Sequence, residues 1–204
     1  MGMGKRQICQ EKTGMITHTL ICGVTMSGKT TLARHVAQSL DKKDQTVVVY
    51  DPMGTPTENS GWGEKARIFT DKDDFLEFLS SPDCGKCHIF IDEAADIFSQ
   101  SDSENFWLAT RGRHYGYQLY LIAQRPKMIA PTVRTQCGLC YMFRLSKDDA
   151  KEICADFGHN YPEVLENDEK ELKPLDKGDA LVLTSGSASF ERFNIFNYLK
   201  GKKP

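Results

Sequence analysis

The chain has no apolar run of the roughly 20 residues that a membrane-spanning helix needs; Met15 to Val24 and Leu119 to Ala123 fall far short. No transmembrane segment is expected. The start, MGMGKR, places Arg6 where a myristoylation signal needs Ser or Thr, and no apolar export segment follows it. A cytosolic protein is expected, with its seven cysteines, an odd number, as reduced thiols rather than a disulfide framework. Neither sign of charge dominates, since 26 Lys and Arg stand against 28 Asp and Glu, for a net charge of −2. A general cationic surface for nucleic acid is thereby excluded, and any such contact has to be local, in a basic loop or a ring lumen. Internal repeats and low-complexity tracts are absent as well.

What is present is the mix of a folded globular protein, 40% hydrophobic and 26% charged over 204 residues. That length suits one domain over 1–204, with a core at about 15–158 and a C-terminal connection and hairpin at about 159–198. Met15 to Cys22 reads as a strand, and Lys29 to Leu40 as a helix with Leu32, Ala33, Val36, Ala37 and Leu40 on one face. Thr46 to Tyr50 is a β-branched strand that stops at Asp51-Pro52, ahead of a Gly-rich loop from Gly54 to Gly63. Ala66 to Thr70 suggests a short edge strand. Asp73 to Leu79 has helical spacing, and Ser81-Pro82-Asp83 breaks it. His88 to Ile91 is the short continuous apolar run of a buried parallel strand. A helix over Glu104 to Arg113, strands over Gln118 to Ala123 and Leu139 to Leu145, and a helix from Lys147 to Phe157 follow. Ser146 with Asp149 starts that last helix and Gly158 ends it. Tyr161 to Asp176 reads as a solvated connection, and Ala180 to Thr184 with Phe190 to Phe196 as a terminal hairpin. This alternation predicts an α/β protein of three layers, a mostly parallel sheet between helices.

Gly23-Val24-Thr25-Met26-Ser27-Gly28-Lys29-Thr30 satisfies G-x-x-x-x-G-K-[ST] and lies between an expected strand and an expected helix. The glycines let successive N–H groups face phosphate oxygens, and the helix directs its positive end at the same anion. The nucleotide-binding stretch is therefore Gly23 to Thr31, in which Lys29 reaches the β and γ phosphates and Thr30 offers its hydroxyl to Mg2+. His88 to Glu93 supplies a strand that delivers Asp92 to the same Mg2+ at its C-terminal edge. Glu93 then orients and polarises the attacking water, a task that separates hydrolases from kinases carrying only the Asp. Its bland alternative is a cap on a helix from Ala94 to Phe98. Gln124, at the end of its strand, is placed for the γ-phosphate or the water. The Asn-Lys-x-Asp string with which small GTPases read guanine is missing; the nearest match, Ser146-Lys147-Asp148-Asp149, lacks the Asn, so ATP is the expected fuel.

Thr110 to Pro126, taken with the phosphate loop and Asp92-Glu93, resembles the HerA/FtsK superfamily of DNA-pumping ATPases. Arg111, Arg113, Gly116 and Gln124-Arg125-Pro126 stand where that family has an Arg-rich helix end, a small residue and Gln-Arg-Pro. The likeness covers about residues 15 to 145. It implies an additional-strand, RecA/FtsK-like P-loop fold with a 5-1-4-3-2 sheet, assembled as a homo-oligomeric ring, usually a hexamer, around double-stranded DNA. It also implies an arginine acting on the neighbour's γ-phosphate, with Arg113 first, Arg111 second and Arg134 an outside candidate. The chain looks most like the genome-packaging ATPases of tailless, internal-membrane viruses. The membrane and DNA-reading regions of FtsK, the added barrel of archaeal HerA and the membrane span of the zonula-occludens-toxin type are not found. That resemblance implies a DNA translocase that packages a double-stranded viral genome into a preformed capsid, working in the host cytoplasm and in association with the virion. Capsid-vertex or viral membrane proteins are its implied partners. Another DNA-transfer or phage-assembly ATPase of the superfamily is the nearer alternative. A small nucleotide kinase and a non-catalytic nucleotide switch are alternatives of a different class.

Other signals are weaker. Cys84-Gly-Lys-Cys87-His88 matches a c-type haem attachment in form only, since no export signal accompanies it. Cys84, Cys87, Cys137 and Cys140 form two C-x-x-C pairs that zinc accepts in other proteins. The implied sheet order puts their strands three positions apart, and Cys137 and Cys140 point to opposite faces if both are extended. Trp62, Lys65, Arg67 and Lys127 are candidate DNA contacts, against the commoner reading of a packed aromatic and solvated charges.

Overall fold

The computed structural model describes residues 17–54, 61–81, 84–101, 103–160, 175–187 and 190–201. In chain order its elements are β1 (His18–Cys22), α1 (Lys29–Asp41), β2 (Val47–Tyr50), β3 (Arg67–Phe69), α2 (Lys72–Ser80) and β4 (Cys87–Ile91). There follow α3 (Phe106–Thr110), β5 (Tyr117–Ala123), α4 (Pro131–Arg134), β6 (Cys137–Phe143) and α5 (Lys147–Asp156). The last are β7 (Asp179–Thr184), β8 (Glu191–Asn194) and α6 (Ile195–Leu199). Expected features at 15–16, 55–60, 82–83 and 161–174 lie outside the described residues.

One sheet runs β3-β2-β4-β5-β1-β6-β7-β8. The first six strands are parallel, and β7 and β8 are antiparallel to their neighbours. Without edge strand β3 the parallel set reads β6-β1-β5-β4-β2, the 5-1-4-3-2 order that the resemblance implied. All seven residues of β5 are buried, as a central strand covered on both faces requires. On one face Leu32, Ala33, Val36 and Ala37 of α1 pack with Ile21, Val49, Phe90 and Ile122, and Ile195 of α6 joins them. On the other, Phe75 and Leu79 of α2, Leu108 of α3, Val133 of α4 and Ile153 of α5 cover Leu20, Val48, Ile89 and Leu121. The three layers read from the sequence are present.

Three local expectations need correction. The helix over Glu104 to Arg113 is two pieces: α3 stops at Thr110, and Gly112–Tyr115 is a 3-10 turn closed by Gly116 at φ +82°. The second hairpin strand ends at Asn194, whose side chain accepts from Asn197 N at 2.9 Å and turns the chain into α6. Along β6 the register with β1 slips between His18 and Thr19, leaving Gly138 as an extra residue. That bulge puts Cys137 in the same core as Cys140, not on the opposite face.

Candidate functional site

The loop between β1 and α1 is built by close backbone approach. A Cβ on Gly23, at φ +153°, would lie 2.6 Å from Phe143 Cβ; one on Gly28, at φ +116°, would lie 3.2 Å from both Phe143 and Ile195. Gly23 N donates to Ala123 O at 3.2 Å and Val24 N to Arg144 O at 2.9 Å, which hangs the loop between the ends of β5 and β6. No side chain caps the α1 N-terminus and no acid stands in its first turn. Its first N–H groups thus remain available to an anion. Lys29 Nζ donates to Val24 O at 2.9 Å, and burial lowers its pKa while Asp92 and Glu93 oppose that.

A cavity of about 180 Å3 opens in front of the loop. Thr25, Met26, Lys29 and Thr30 line it from the loop side, Asp51 to Met53 from the end of β2, Asp92 and Glu93 from the end of β4, and Gln124 from the end of β5. These strands are parallel, so their C-terminal ends converge on one edge, where ligands of such sheets collect. Gly23, Val24, Ser27 and Gly28 belong to the loop without lining the cavity, and Thr31 lies exposed in the first turn of α1, also outside the lining.

Burial pushes the Asp92 carboxyl up to about 6, and Asp51 and Glu93 push the same way against Arg34 and Lys29. Such a carboxyl favours a neighbouring cation, and Thr30 on the opposite wall offers a second oxygen; these donors fit Mg2+, which takes few protein oxygens and keeps its waters. Glu93 has left-handed backbone, φ +62° and ψ 54°, and it precedes only the short 3-10 turn Ala94–Asp96. Its carboxylate caps nothing there. Instead Glu93 Oε1 accepts from Gln124 Nε2 at 3.0 Å, while Gln124 Oε1 accepts from Thr25 Oγ1 at 3.0 Å. A short relay joins the phosphate loop, the end of β5 and the end of β4.

Two contributors escaped the sequence reading. Asp51 is buried at the end of β2, accepts from Trp62 Nε1 at 2.9 Å and pairs with Arg34 at 3.6 Å. Its sequence signal is an acid closing a β-branched run, a pattern that reads equally as the start of a turn. Gly178 N donates to Ser27 O at 2.8 Å and Gly178 O accepts from Ile195 N at 2.9 Å, so the C-terminal hairpin and α6 brace the loop from behind. Asp179 holds that turn by accepting from Arg192 and Asn194, each at 2.6 Å.

The arginines lie elsewhere. Arg111 is exposed and Arg113 half-buried, donating to Gln136 Oε1 at 3.0 Å, and both precede the N-terminal end of β5. The phosphate loop follows the C-terminal end of the neighbouring parallel strand, so these arginines sit at the opposite edge of the sheet from the cavity of their own chain. Arg134 is a correction: it is only 1% exposed, tied to Glu152 at 2.5 Å, Asp156 at 2.6 Å and two backbone carbonyls. It cannot reach a neighbour. Trp62 follows the commoner reading of a packed aromatic rather than a DNA contact: it is fully buried against Phe90 with Arg34 over its ring. Lys65 pairs with Asp44, Lys127 with Asp149 and Glu152, and Arg67 lies over the Phe78 ring. Cys84 and Cys87 stand beside each other at the start of β4, three strands from Cys137 and Cys140 on β6, so the four thiols do not converge. Among the described residues no three His, Cys, Asp or Glu side chains group as metal ligands, and no helix is long and apolar enough to cross a membrane.

A phosphate-type loop between the first strand and helix, an Asp-Glu pair at the end of β4 and a 5-1-4-3-2 parallel core define a P-loop nucleoside triphosphatase fold of the HerA/FtsK type. Residues 7–111, just over half of the chain, match the type IV secretion-system coupling protein DNA-binding domain, and the chain belongs to that family. The genome packaging NTPase B204 from Sulfolobus turreted icosahedral virus 2, solved with AMPPCP, superposes with a TM-score of 0.68 at 19% identity over 87% of this chain and 97% of its own. The pCW3 conjugation coupling protein TcpA superposes with a TM-score of 0.60 at 18% identity, over 91% of this chain and 62% of its own. At such identities these likenesses are likenesses of fold. In sequence, a probable helicase of Methanocaldococcus jannaschii is 29% identical over 127 residues, 59% of this chain, and the chain spans 23% of that relative's length.

Proposed function

We propose that the chain is an ATP-hydrolysing motor that moves double-stranded DNA. The observation that carries this is the convergence of Lys29, Thr30, Asp92, Glu93 and Gln124 on one cavity at the C-terminal edge of the sheet. In this reading the loop N–H groups and Lys29 bind the β and γ phosphates of ATP. Thr30 and Asp92 would hold Mg2+, which when bound would supply neutralisation of phosphate charge. Glu93 aligns and polarises the attacking water, and Gln124 links the state of Glu93 to Thr25 in the loop. The hydrogen bond from Gln124 to Glu93, which holds that carboxylate at the cavity, supports hydrolysis over the kinase reading.

Arg113, with Arg111 as second choice, acts on the site of the next subunit in a homo-oligomeric ring, a hexamer by family resemblance. Their place on the far edge of the sheet suits action in trans rather than in cis. Packaging of a viral genome into a capsid is the specific role we propose, with the host cytoplasm and virion as its setting and capsid-vertex or viral membrane proteins as partners. Its support is the near end-to-end superposition on a viral packaging NTPase. The family match favours a second reading, DNA transfer of the conjugative kind, by the same motor chemistry. The direct test is Glu93→Gln, which should bind a fluorescent ATP analogue like the parent yet lose ~10²-fold or more of its turnover. Full turnover in that variant would remove Glu93 from the mechanism.

A further inference from the structure

The proposed motor makes no use of Cys84 and Cys87. Their sulfurs are 3.2 Å apart, closer than any other pair of thiols recorded in the structure. Cys84 belongs to the turn after α2, and Cys87 is the first residue of β4, paired in register with Tyr117 of β5. The intervening Gly85 and Lys86 are exposed, Gly85 takes left-handed backbone at φ +58°, and a Cβ there would meet nothing within 4 Å. A disulfide needs its sulfurs about 2.05 Å apart, so closure asks for little more than 1 Å of movement; the two thiols are themselves buried, beneath the exposed Gly85 and Lys86.

We propose that Cys84 and Cys87 are a reversible dithiol-disulfide site, oxidised by low-molecular-weight disulfides such as oxidised glutathione. Cys84 is the attacking thiol. The hydrogen bond from the Cys87 thiol lowers its pKa against the opposing effect of burial, and the Arg67 charge acts in the same direction as Cys87. A lowered pKa raises the fraction of thiolate, the form that attacks a disulfide. The Cys84 thiolate attacks glutathione disulfide, forming a mixed disulfide and releasing one glutathione thiolate. Cys87 gives up its proton, attacks the Cys84 sulfur and expels the second glutathione thiolate. The two cysteines lose two electrons and two protons in all, and glutathione disulfide gains both as two glutathione thiols.

The consequence is a staple at the foot of the site's own strands. Tyr117 Oη donates to Leu79 O at 2.8 Å, so the C-terminal turn of α2, β4 and β5 already meet at this point. The far ends of β4 and β5 carry Asp92, Glu93 and Gln124. The other recorded thiol contact, Cys22 with Cys140 at 3.9 Å, links two adjacent central strands and has no free turn to close.

The full chain should be equilibrated over graded ratios of reduced to oxidised glutathione, quenched in acid, alkylated after denaturation and mapped by peptide mass. The expected result is a Cys84–Cys87 link, two hydrogens lighter, that dithiothreitol reverses, while Cys22, Cys137, Cys140 and Cys154 remain alkylated. Cys87→Ser should stop at a glutathione adduct on Cys84, and Cys84→Ser should leave Cys87 alkylated. Free, alkylated Cys84 and Cys87 at the most oxidising ratio would overturn the proposal, as would a stable glutathione adduct in the parent chain. Should either variant fail to fold, the parent map decides alone.

Discussion

Gln124 Nε2 and Glu93 Oε1 are 3.0 Å apart, which puts the side chain at the end of β5 in control of the carboxylate at the end of β4. The other end of the same amide accepts from Thr25 in the phosphate loop. Removing a single oriented donor next to developing charge lowers turnover by ~10²-fold or more. Gln124→Ala should therefore depress kcat by about that factor with nucleotide affinity near that of the parent, in steady-state hydrolysis and equilibrium binding. Thr25→Val, which frees only the amide oxygen, should have the smaller effect in the same direction. Unchanged kcat in Gln124→Ala would mean that the relay ties the loop and nothing more.

The C-terminal brace makes a separate prediction. Gly178 sits at φ +90°, and a Cβ there would lie 2.3 Å from the Phe196 ring. Gly178→Val should therefore introduce backbone strain of order 1–3 kcal/mol and loosen the hold on Ser27. The expected outcome is weaker nucleotide binding in a chain that still unfolds cooperatively, measured by titration and thermal melting. Parent-like affinity would show that the loop keeps its shape without the brace.

Acid should destabilise the fold through His18. This residue is fully buried at the start of β1; its Nε2 meets Ala109 O and its Nδ1 accepts from Leu119 N, each at 3.0 Å. A second ring proton would face the Leu119 N–H. Burial chiefly lowers the pKa from 6.5 to about 4; the bond to Ala109 opposes that, and the Arg113 charge adds to it. The folded state thus binds this proton less well than the unfolded state. The contribution is complete above pH 6.5 and is lost as pH falls towards 4, in total about 3 kcal/mol. Urea unfolding at pH 7 and pH 4.5 should show the loss, and His18→Leu, less stable throughout, should show a flatter dependence. An equal slope in both proteins would assign the acid sensitivity to other groups.

The sequence made the strand-loop-helix around Lys29 and the acidic end of β4 legible because both are local patterns, fixed by spacing within a dozen residues. The parallel core followed from the same alternation, and its strand order from the family resemblance. What stayed hidden depends on contacts far apart in sequence. Asp51 belongs to the site because β2 lies next to β4 in the sheet, and Trp62 is a core residue because Asp51 and Phe90 receive it. Arg134 looked like any loop arginine until α5 supplied Glu152 and Asp156. The bulge at Gly138 and the turn from β8 into α6 are one-residue decisions, set by register and by the Asn194 cap. Neither alters the apolar pattern enough to be read in advance.

The central claim is that this fold couples ATP hydrolysis to duplex DNA, and steady-state phosphate release with and without duplex DNA tests it most directly. The account predicts Mg2+-dependent hydrolysis by the parent chain that rises on adding duplex DNA and disappears in Lys29→Ala. Hydrolysis that ignores DNA, or persists in Lys29→Ala, would contradict it.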